Sequence, residues 1–274
     1  MHIRARKALD SFLVEDIGKG DITSNLLPRK KISASIISRE EGMAAGTQYT
    51  KYIFASRGSK VKILKKDGSK IKPNQKILII SGYAHAILPC ERTALNLLSR
   101  MSGIASQTNY LVSKIKKENP KVKLYSTRKT MPGLRLFDKE AVEIGGGNKH
   151  RMSLDQMPMI KDNHLAIAGL LELIHKARKR HRIIEVEVEN LNDAILAAKA
   201  GASIIMLDNR SPKEISKIVS TLKKLHLRDK VKIEASGGIN SKNIQHYART
   251  GVDMISVGKI TSSAPSLDLS LEVN

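Results

Sequence analysis

The chain has 274 residues, a single cysteine and a formal net charge of +22, and 41% of its residues are hydrophobic. This length is enough for one large domain or two modest ones with a substantial core. The single cysteine excludes an internal disulfide, which is typical of a protein from a reducing compartment. The basic amino terminus lacks a long apolar stretch, and the apolar runs are too short to span a bilayer. We therefore expect a cytoplasmic protein that has no membrane partner.

The strong positive charge raises the alternative of a nucleic-acid binder. Lysine and arginine are, however, scattered along the chain, tryptophan is absent, and aromatic residues make up only 3%. A base-stacking platform is therefore not expected. We predict no nucleic-acid partner and assign most of the charge to solvated helix faces, where it would speed the capture of anionic small molecules.

The first hundred residues have the pattern of an α+β segment with an antiparallel sheet. The predicted elements are a helix at 3–14, a strand at 31–38, two strands around an Asp-Gly turn at 61–71, a strand at 76–82 and a helix at 91–118. A break in the last helix is expected near Gly103.

From Val122 onward, strands alternate with helices. Strands are predicted at 122–126, 157–160, 183–189, 203–208, 231–236 and 253–258, and helices at 133–143, 165–180, 191–200, 212–225 and 241–249. Ser211, Pro212 and Glu214 form the start signal of one of these helices. Repeated βα units with short links imply a parallel sheet, either closed into a barrel or doubly wound.

The positions of the polar residues favour the barrel. They fall at the carboxyl ends of successive predicted strands: Arg128, Lys161, Glu187, Asp208, Ser236 and Gly258. Barrel active sites are built at that end, whereas an open sheet concentrates its ligands at one switch point.

Basic residues gather between 126 and 164, around the glycine triplet at 145–147. They are Arg128, Lys129, His150, Arg151 and Lys161. Unpaired charges are costly in a core, so these cations suit an anion with several carboxylates or with phosphates. For His150 alone, a structural role is the alternative.

Two acidic residues end neighbouring strands. Glu187 and Asp208 could hold Mg²⁺ or ribose hydroxyls, because Mg²⁺ prefers oxygen ligands and often bridges carboxylates to phosphates. The alternative is a salt-bridge network with the nearby cations. We prefer that alternative for Glu185 and Glu189, which share a strand face with Glu187.

Glycine-rich turns follow two late strands. Ser236, Gly237 and Gly238 form one, and Gly258 lies in the other. Such loops let backbone N–H groups approach a phosphate closely. The alternative is a pair of tight turns that simply require glycine.

Several motifs, in order, carry a resemblance that covers nearly the whole chain. They are EDIGKGDIT (15–23), ERTALNLLSRMSGIAS (91–106), TRKT-x-PG (127–133), GGG-x-x-HR (145–151), IKDNH (160–164), EVEVENL (185–191), IMLDN (205–209), EASGGI (234–239) and GVDMISVGKIT (251–261). The chain resembles the quinolinate phosphoribosyltransferase family, also called carboxylating nicotinate-nucleotide pyrophosphorylase. A related family from molybdenum-transport loci shares TRKT and PG, but IKDNH and IMLDN favour the quinolinate enzyme. A nicotinate-specific enzyme is a further alternative.

The resemblance implies a fold and a reaction. The fold would be an α/β barrel, atypical and open or incomplete compared with a TIM barrel, with an amino-terminal α+β sandwich. We place the sandwich at 1–108 with the tail 265–274, and the barrel at 109–264. The reaction joins quinolinate to phosphoribosyl pyrophosphate with loss of CO₂, giving nicotinate mononucleotide and pyrophosphate for NAD biosynthesis, with Mg²⁺ as cofactor.

The resemblance also implies residue roles. Arg128, Arg151 and Lys161, with His150 beside them, would bind quinolinate, and Lys129 and Lys161 would face the phosphoribosyl donor. Glu187 and Asp208 would contact its ribose and Mg²⁺, directly or indirectly. Catalysis is assigned to Lys129, Lys161, Glu187 and Asp208, and binding of the 5′-phosphate to Ser236, Gly237, Gly238 and Gly258.

Arg92, within ERTALN, corresponds to an arginine that reaches the neighbouring subunit's site. A homodimer with shared sites is therefore expected, and larger assemblies are left open. The chain departs from the family's usual pattern at Asn148, Lys149 and Ser262.

Overall fold

The structure is a computed structural model that describes residues 2–274. The chain divides into two compact units. The first comprises 2–109, Thr130–Gly146 and Ile260–Asn274, and the second comprises Tyr110–Lys129 and Gly147–Lys259. Residues 130–146 thus cluster with the first unit although they fall inside the predicted barrel range; the domain bounds themselves stay a prediction. Among the described residues, no helix combines the length and apolarity needed to cross a membrane.

Helices and strands follow the predicted order. The helices are α1 (Ile3–Ile17), α2 (Thr47–Ala55), α3 (Ala84–Ile87), α4 (Glu91–Glu118), α5 (Arg135–Ile144), α6 (Asp162–Leu165), α7 (Leu170–Arg178), α8 (Leu191–Ala200), α9 (Pro212–Lys224), α10 (Ile244–Ala248) and α11 (Lys259–Ser262). The strands are β1 (Lys31–Ser38), β2 (Gly42–Met43), β3 (Lys60–Ile63), β4 (Lys70–Ile71), β5 (Lys76–Tyr83), β6 (Lys123–Tyr125), β7 (Met159–Ile160), β8 (Glu185–Val188), β9 (Ile204–Asp208), β10 (Lys232–Ser236), β11 (Met254–Ser256) and β12 (Leu269–Val273). The helix predicted at 165–180 corresponds to α7, and the short helix α6 precedes it.

The first unit is built on an antiparallel sheet in the order β12-β1-β5-β3. The strands β1 and β5 place Ile36 opposite Leu78, and both side chains are fully buried. Helices α1 and α2 add buried apolar residues, among them Leu9 and Phe54. The predicted α+β segment with an antiparallel sheet is therefore confirmed.

The two strands predicted around the Asp67–Gly68 turn are present as β3 and β4, but they do not pair with each other. Strand β3 pairs with β5, and β4 pairs with β2 in a separate two-stranded sheet. The turn is bonded elsewhere: Gly68 N–H donates to the carbonyl of Ala44, and the Asp67 carboxylate accepts from the N–H and hydroxyl of Thr47. These longer-range bonds draw the Asp-Gly turn away from the adjacent strands.

The break predicted in α4 near Gly103 is wrong, because the helix is continuous. A Cβ atom on Gly103 would lie 1.8 Å from the backbone oxygen of Pro265. Glycine is required here for the close approach of the carboxyl-terminal segment, which outweighs its cost of about 1 kcal/mol inside a helix.

The second unit contains a parallel sheet in the order β6-β11-β10-β9-β8-β7. Asn148 extends it beyond β6, because it bridges to Tyr125 in parallel and its carbonyl accepts from Ser126 N–H at 2.9 Å. The first and last strands of the unit, β6 and β11, are neighbours, so the sheet curls into a barrel that is open between Asn148 and β7. The predicted open βα barrel is confirmed.

Helix ends in this unit follow the local signals. Ser211 and Glu214 form the predicted capping box at the start of α9, with Pro212 in the first turn. Helix α8 is capped by Asn190 and ends at Gly201, whose φ of 93° favours glycine. Short links of this kind keep the strands of the unit parallel. Their carboxyl ends, which carry the polar residues, therefore lie on the same side of the sheet.

Candidate active site

A cavity of about 330 Å³ lies in the second unit, at the carboxyl ends of its strands. Its lining residues are Thr127, Arg128, Lys129, His150, Arg151, Met159, Lys161, Met206, Asp208, Glu234, Ser236 and Ser256. All five basic residues predicted between positions 126 and 164 are among them. The barrel therefore brings together basic side chains that are up to 33 positions apart in the sequence.

Glu187 reaches this site through Lys161. The Lys161 ammonium group forms an ion pair with the Glu187 carboxylate, which is largely buried at the end of β8. The salt bridge predicted as an alternative is thus present, and both of its residues were expected to bind the phosphoribosyl donor.

Two guanidinium groups contribute to the wall. Arg151 donates to the carbonyl of Met157 at 2.9 Å and to Sδ of Met159 at 3.3 Å. Nε of Arg128 is buried and has no hydrogen-bond partner among the described residues. Burial and the charge of Arg128 both lower the pKa of Arg151. Two neighbouring cations, one of them with an unpaired buried N–H at Arg128 Nε, favour an anion between them.

His150 turns away from the solvent. Its Nε2 lies 3.3 Å from Oε2 of Glu185 and 3.3 Å from Oε2 of Glu234, and both carboxylates are fully buried. Burial alone would lower the pKa of His150, but these two carboxylates outweigh it and raise the pKa to about 9. Burial also raises the pKa of Glu185. At neutral pH, His150, Glu185 and Glu234 together therefore hold one more proton than the same three groups would hold in water.

Asp208 ends β9 at the cavity. One of its carboxylate oxygens accepts from Nδ2 of Asn209 at 2.5 Å. Asn209 in turn donates its backbone N–H to the carbonyl of Ser236 at 2.9 Å, so the ends of β9 and β10 are tied together. The oxygen ligands of Glu187 and Asp208 stand at adjacent strand ends and suit a hard cation such as Mg²⁺.

The glycine turns differ in how tightly they are packed. A Cβ atom on Gly237 would lie 2.2 Å from Oδ1 of Asn209, whereas Gly238 faces open space, and both have positive φ. At Gly258 a Cβ atom would lie 2.9 Å from Cδ of Lys129. Gly237 and Gly258 thus give room to Asn209 and Lys129, and the backbone at Gly238 is accessible to a ligand.

Arg92 lies in the first unit and is exposed on α4. It lines a separate cavity of about 920 Å³ in that unit, together with Glu15, Asp16 and Arg100. Arg100 is bound there by two hydrogen bonds to the buried carboxylate of Asp138, at 2.7 and 2.8 Å. Arg92 is therefore the one predicted site residue that lies outside the second unit.

Sequence reasoning missed Glu234. It assigned Glu185 to a salt-bridge network with nearby cations, and Glu185 does lie in such a contact with His150. The alternation in β8 shows that Glu185 shares a face with Glu187, and Glu234 stands two residues before Ser236 in β10. Those spacings place both carboxylates on the inward face of a barrel. On that basis, Glu185 and Glu234 could have been included among the predicted site residues.

An open α/β barrel with arginines, lysines, carboxylates and glycine turns at its carboxyl-terminal edge defines an enzyme that acts on anionic small molecules. Two family models cover the chain: the quinolinate phosphoribosyl transferase N-terminal domain matches residues 21–102, and the corresponding C-terminal domain matches residues 104–272. The chain belongs to the quinolinate phosphoribosyl transferase family.

Individual relatives agree with this assignment. The probable nicotinate-nucleotide pyrophosphorylase [carboxylating] of Archaeoglobus fulgidus is 46% identical over 93% of this chain and 98% of its own. The nicotinate-nucleotide pyrophosphorylase structure from Francisella tularensis superposes with a TM-score of 0.91 at 38% identity, covering 99% of this chain and 96% of that one. The Ehrlichia chaffeensis structure of the same name gives 0.93 at 36% identity and covers 100% of both chains.

Proposed function

We propose that this protein transfers the phosphoribosyl group of phosphoribosyl pyrophosphate to quinolinate, with decarboxylation, to form nicotinate mononucleotide, pyrophosphate and CO₂ in NAD biosynthesis. The observation that carries the proposal is the cavity lined by Arg128, Arg151 and Lys161 in a chain of this family. Three cations around about 330 Å³ suit a small dicarboxylate.

Quinolinate is assigned to the basic wall of the cavity, which is formed by Arg128, Arg151 and Lys161. The buried Nε of Arg128 offers an unused N–H, and the guanidinium of Arg151 is oriented by its bonds to Met157 and Met159. Such preorganised donors suit the planar geometry of carboxylates. His150 lines the same wall, with its Nε2 directed at the two buried glutamates.

The phosphoribosyl donor is assigned to the strand ends of β8 to β11. Glu187 and Asp208 suit the ribose hydroxyls and Mg²⁺, and the turns at Ser236, Gly237, Gly238 and Gly258 suit the 5′-phosphate. When bound, Mg²⁺ would neutralise charge on the pyrophosphate. Lys129, whose stem packs against Gly258, suits the phosphates of the same substrate.

The chemistry needs positioning rather than a protein nucleophile. The pyridine nitrogen forms a bond to the anomeric carbon as the bond to pyrophosphate breaks, and positive character on the ribose is stabilised by the Glu187 and Asp208 carboxylates. The bond to the C2 carboxylate then breaks, CO₂ leaves, and C2 takes a proton. The cationic ring nitrogen stabilises the intermediate carbanion.

The Lys161–Glu187 ion pair bears on both halves of this reaction. Lys161 cannot hold a substrate anion and Glu187 at full strength simultaneously, so substrate binding must share or replace this contact. We infer that the pair keeps two otherwise costly charges neutralised before the substrates enter.

We further propose a cytoplasmic homodimer in which Arg92 completes the partner's site. The exposure of Arg92 on α4 and its place in ERTALN support this assignment. Nucleic acid and membranes are not proposed as partners.

Steady-state kinetics with quinolinate and nicotinate as competing acceptors test the proposed function. With phosphoribosyl pyrophosphate and Mg²⁺, the protein should convert quinolinate and leave nicotinate unchanged, because the basic wall requires two carboxylates. Equal turnover of nicotinate would contradict the proposal.

A further inference from the structure

Three side chains form a buried cluster beside the candidate cavity, which we call the buried triad: His150, Glu185 and Glu234. The His150 side chain is 6% exposed, and both glutamates are 0% exposed. Both oxygens of Glu185 and Oε1 of Glu234 lack a hydrogen-bond partner among the described residues. Buried carboxylates are costly without a charged or hydrogen-bonding neighbour, so the contact with His150 compensates them.

The opposite side of the imidazole ring is also occupied. Nδ1 of His150 accepts a hydrogen bond from the backbone N–H of Arg151 at 2.8 Å. Nε2 therefore carries the ring proton and faces the two carboxylates, and the additional proton that the cluster retains at neutral pH is shared on the carboxylate side of the ring. With both ring nitrogens used inside the protein, His150 is better suited to holding its neighbours than to donating a hydrogen bond to a substrate.

The backbone at His150 is strained. Its φ of 54° lies in the left-handed region, which non-glycine residues rarely adopt. Such conformations persist when the surrounding contacts require them. Here those contacts are the two glutamates on one side of the ring and the edge-on ring of Tyr125, 5.8 Å away between centroids.

The strained turn directs the next residue. Arg151 follows His150 immediately and lines the cavity, where its guanidinium is bound to the carbonyl of Met157. A change in the ring orientation of His150 would release the Arg151 N–H and relax the turn, and the guanidinium would then lose its preorganised position.

We propose that Glu185 and Glu234 are positioning residues that act through His150 to hold Arg151 in place for the anionic substrate. This inference rests on the proposed function for the identity of that substrate. The two glutamates come from β8 and β10, so they fix the ring between two strands of the barrel.

A bound metal ion is the competing explanation of the same three side chains, because their ligand atoms all lie within 4.8 Å of one another. Arg151 disfavours it. Arg151 is close enough to Glu185 for each to shift the pKa of the other, so positive charge already acts on this carboxylate.

The test replaces each glutamate by its neutral isostere, with Glu185→Gln and Glu234→Gln. Each should raise the KM for quinolinate about tenfold, which is the loss expected when one charged contact of His150 is neutralised. The KM for phosphoribosyl pyrophosphate should stay within about twofold, because its assigned ligands are elsewhere. Glu189→Gln is the matched control: this exposed glutamate follows β8 and should leave both constants unchanged. Equal losses for both substrates, or no loss, would overturn the proposal.

A double-mutant cycle shows whether the glutamates act through His150. His150→Asn retains a side chain that tolerates a positive φ and can accept from the Arg151 N–H, but it is too short to reach the glutamates. Adding Glu185→Gln to His150→Asn should change the KM for quinolinate by less than about twofold, because the shared contact is already lost. Full additivity of the two effects would overturn the proposal.

Variants that do not fold are covered by a second comparison. If a glutamine variant lacks a cooperative unfolding transition, His150→Asn is compared with His150→Ala, and Asn should retain the higher quinolinate affinity. Equal affinities would contradict the positioning role. Elemental analysis of the wild-type protein addresses the metal: a stoichiometric transition metal that is lost in Glu185→Gln would also overturn the inference.

Equilibrium binding by calorimetry separates this inference from the proposed function. Wild-type protein that binds quinolinate without converting it would contradict the proposed function while leaving the positioning role testable by affinity. Wild-type protein that converts quinolinate normally, with glutamine variants of unchanged affinity, would contradict the positioning role alone.

Discussion

The Lys161 ammonium group forms an ion pair with the Glu187 carboxylate, across the neighbouring strands β7 and β8. Lys161 immediately follows β7, and Glu187 lies near the end of β8. The parallel pairing of Met159 with Glu185 and of Ile160 with Val186 sets this proximity. A cation and an anion are thereby held together where the proposed substrates must bind.

Lys161→Met should reduce turnover by about a hundredfold or more, because it removes a cation in contact with both proposed substrates while keeping the chain length. The control is Lys176→Met, which breaks an exposed Lys–Glu pair on α7 whose side chains are 69% and 52% exposed. Exposed pairs of this kind contribute about 0–1 kcal/mol, so activity should not change. Similar losses in the two variants would remove Lys161 from the site.

The glycine turn after β10 gives a prediction about packing. Gly237→Ala places a Cβ atom 2.2 Å from Oδ1 of Asn209 at a φ of 86°, and should lower the free energy of unfolding by about 2 kcal/mol or more. Gly238→Ala shares the positive φ but faces open space, so it should cost only about 1 kcal/mol. Denaturant unfolding measures both, and equal effects would contradict the tight contact with Asn209.

The parts of this site that could be predicted are those set by local periodicity. Strand alternation and short βα links place Arg128, Lys161, Asp208 and Ser236 at strand ends, whichever loops surround them. The partner of Gly103 is Pro265, more than 160 positions away, so nothing near Gly103 distinguishes close packing from a helix break. The pairing partners of the strands around the Asp67–Gly68 turn could not be predicted for the same reason, because the turn is bonded to Ala44 and Thr47, outside the segment.

The proton that His150 shares with Glu185 and Glu234 makes stability depend on pH, and the raised pKa of His150 describes it. This pKa is about 9 in the folded chain and 6.5 in the unfolded reference, so the contribution is complete below pH 6.5 and is lost as the pH rises through 9. The free energy of unfolding should fall between pH 6.5 and 9.5 by roughly 3 kcal/mol more in the wild type than in His150→Asn. Urea unfolding at the two pH values measures the difference. Parallel losses in the two proteins would mean that His150 does not titrate in this way.

The proposed dimer is tested by complementation between two inactive variants. Arg92→Ala and Lys161→Ala should each lose most activity, and mixing them should restore part of it, because some hybrid dimers carry one site with both residues. Native mass spectrometry must show that subunits exchange. Exchange without recovery of activity would mean that Arg92 does not serve a partner's site.

The most direct test of the proposed function is the release of labelled CO₂ from quinolinate that carries the label in its C2 carboxylate. When phosphoribosyl pyrophosphate and Mg²⁺ are added, one CO₂ should be released for each nicotinate mononucleotide formed. When phosphoribosyl pyrophosphate is omitted, no CO₂ should be released. Mononucleotide formed without CO₂, or CO₂ released without the phosphoribosyl donor, would contradict the account.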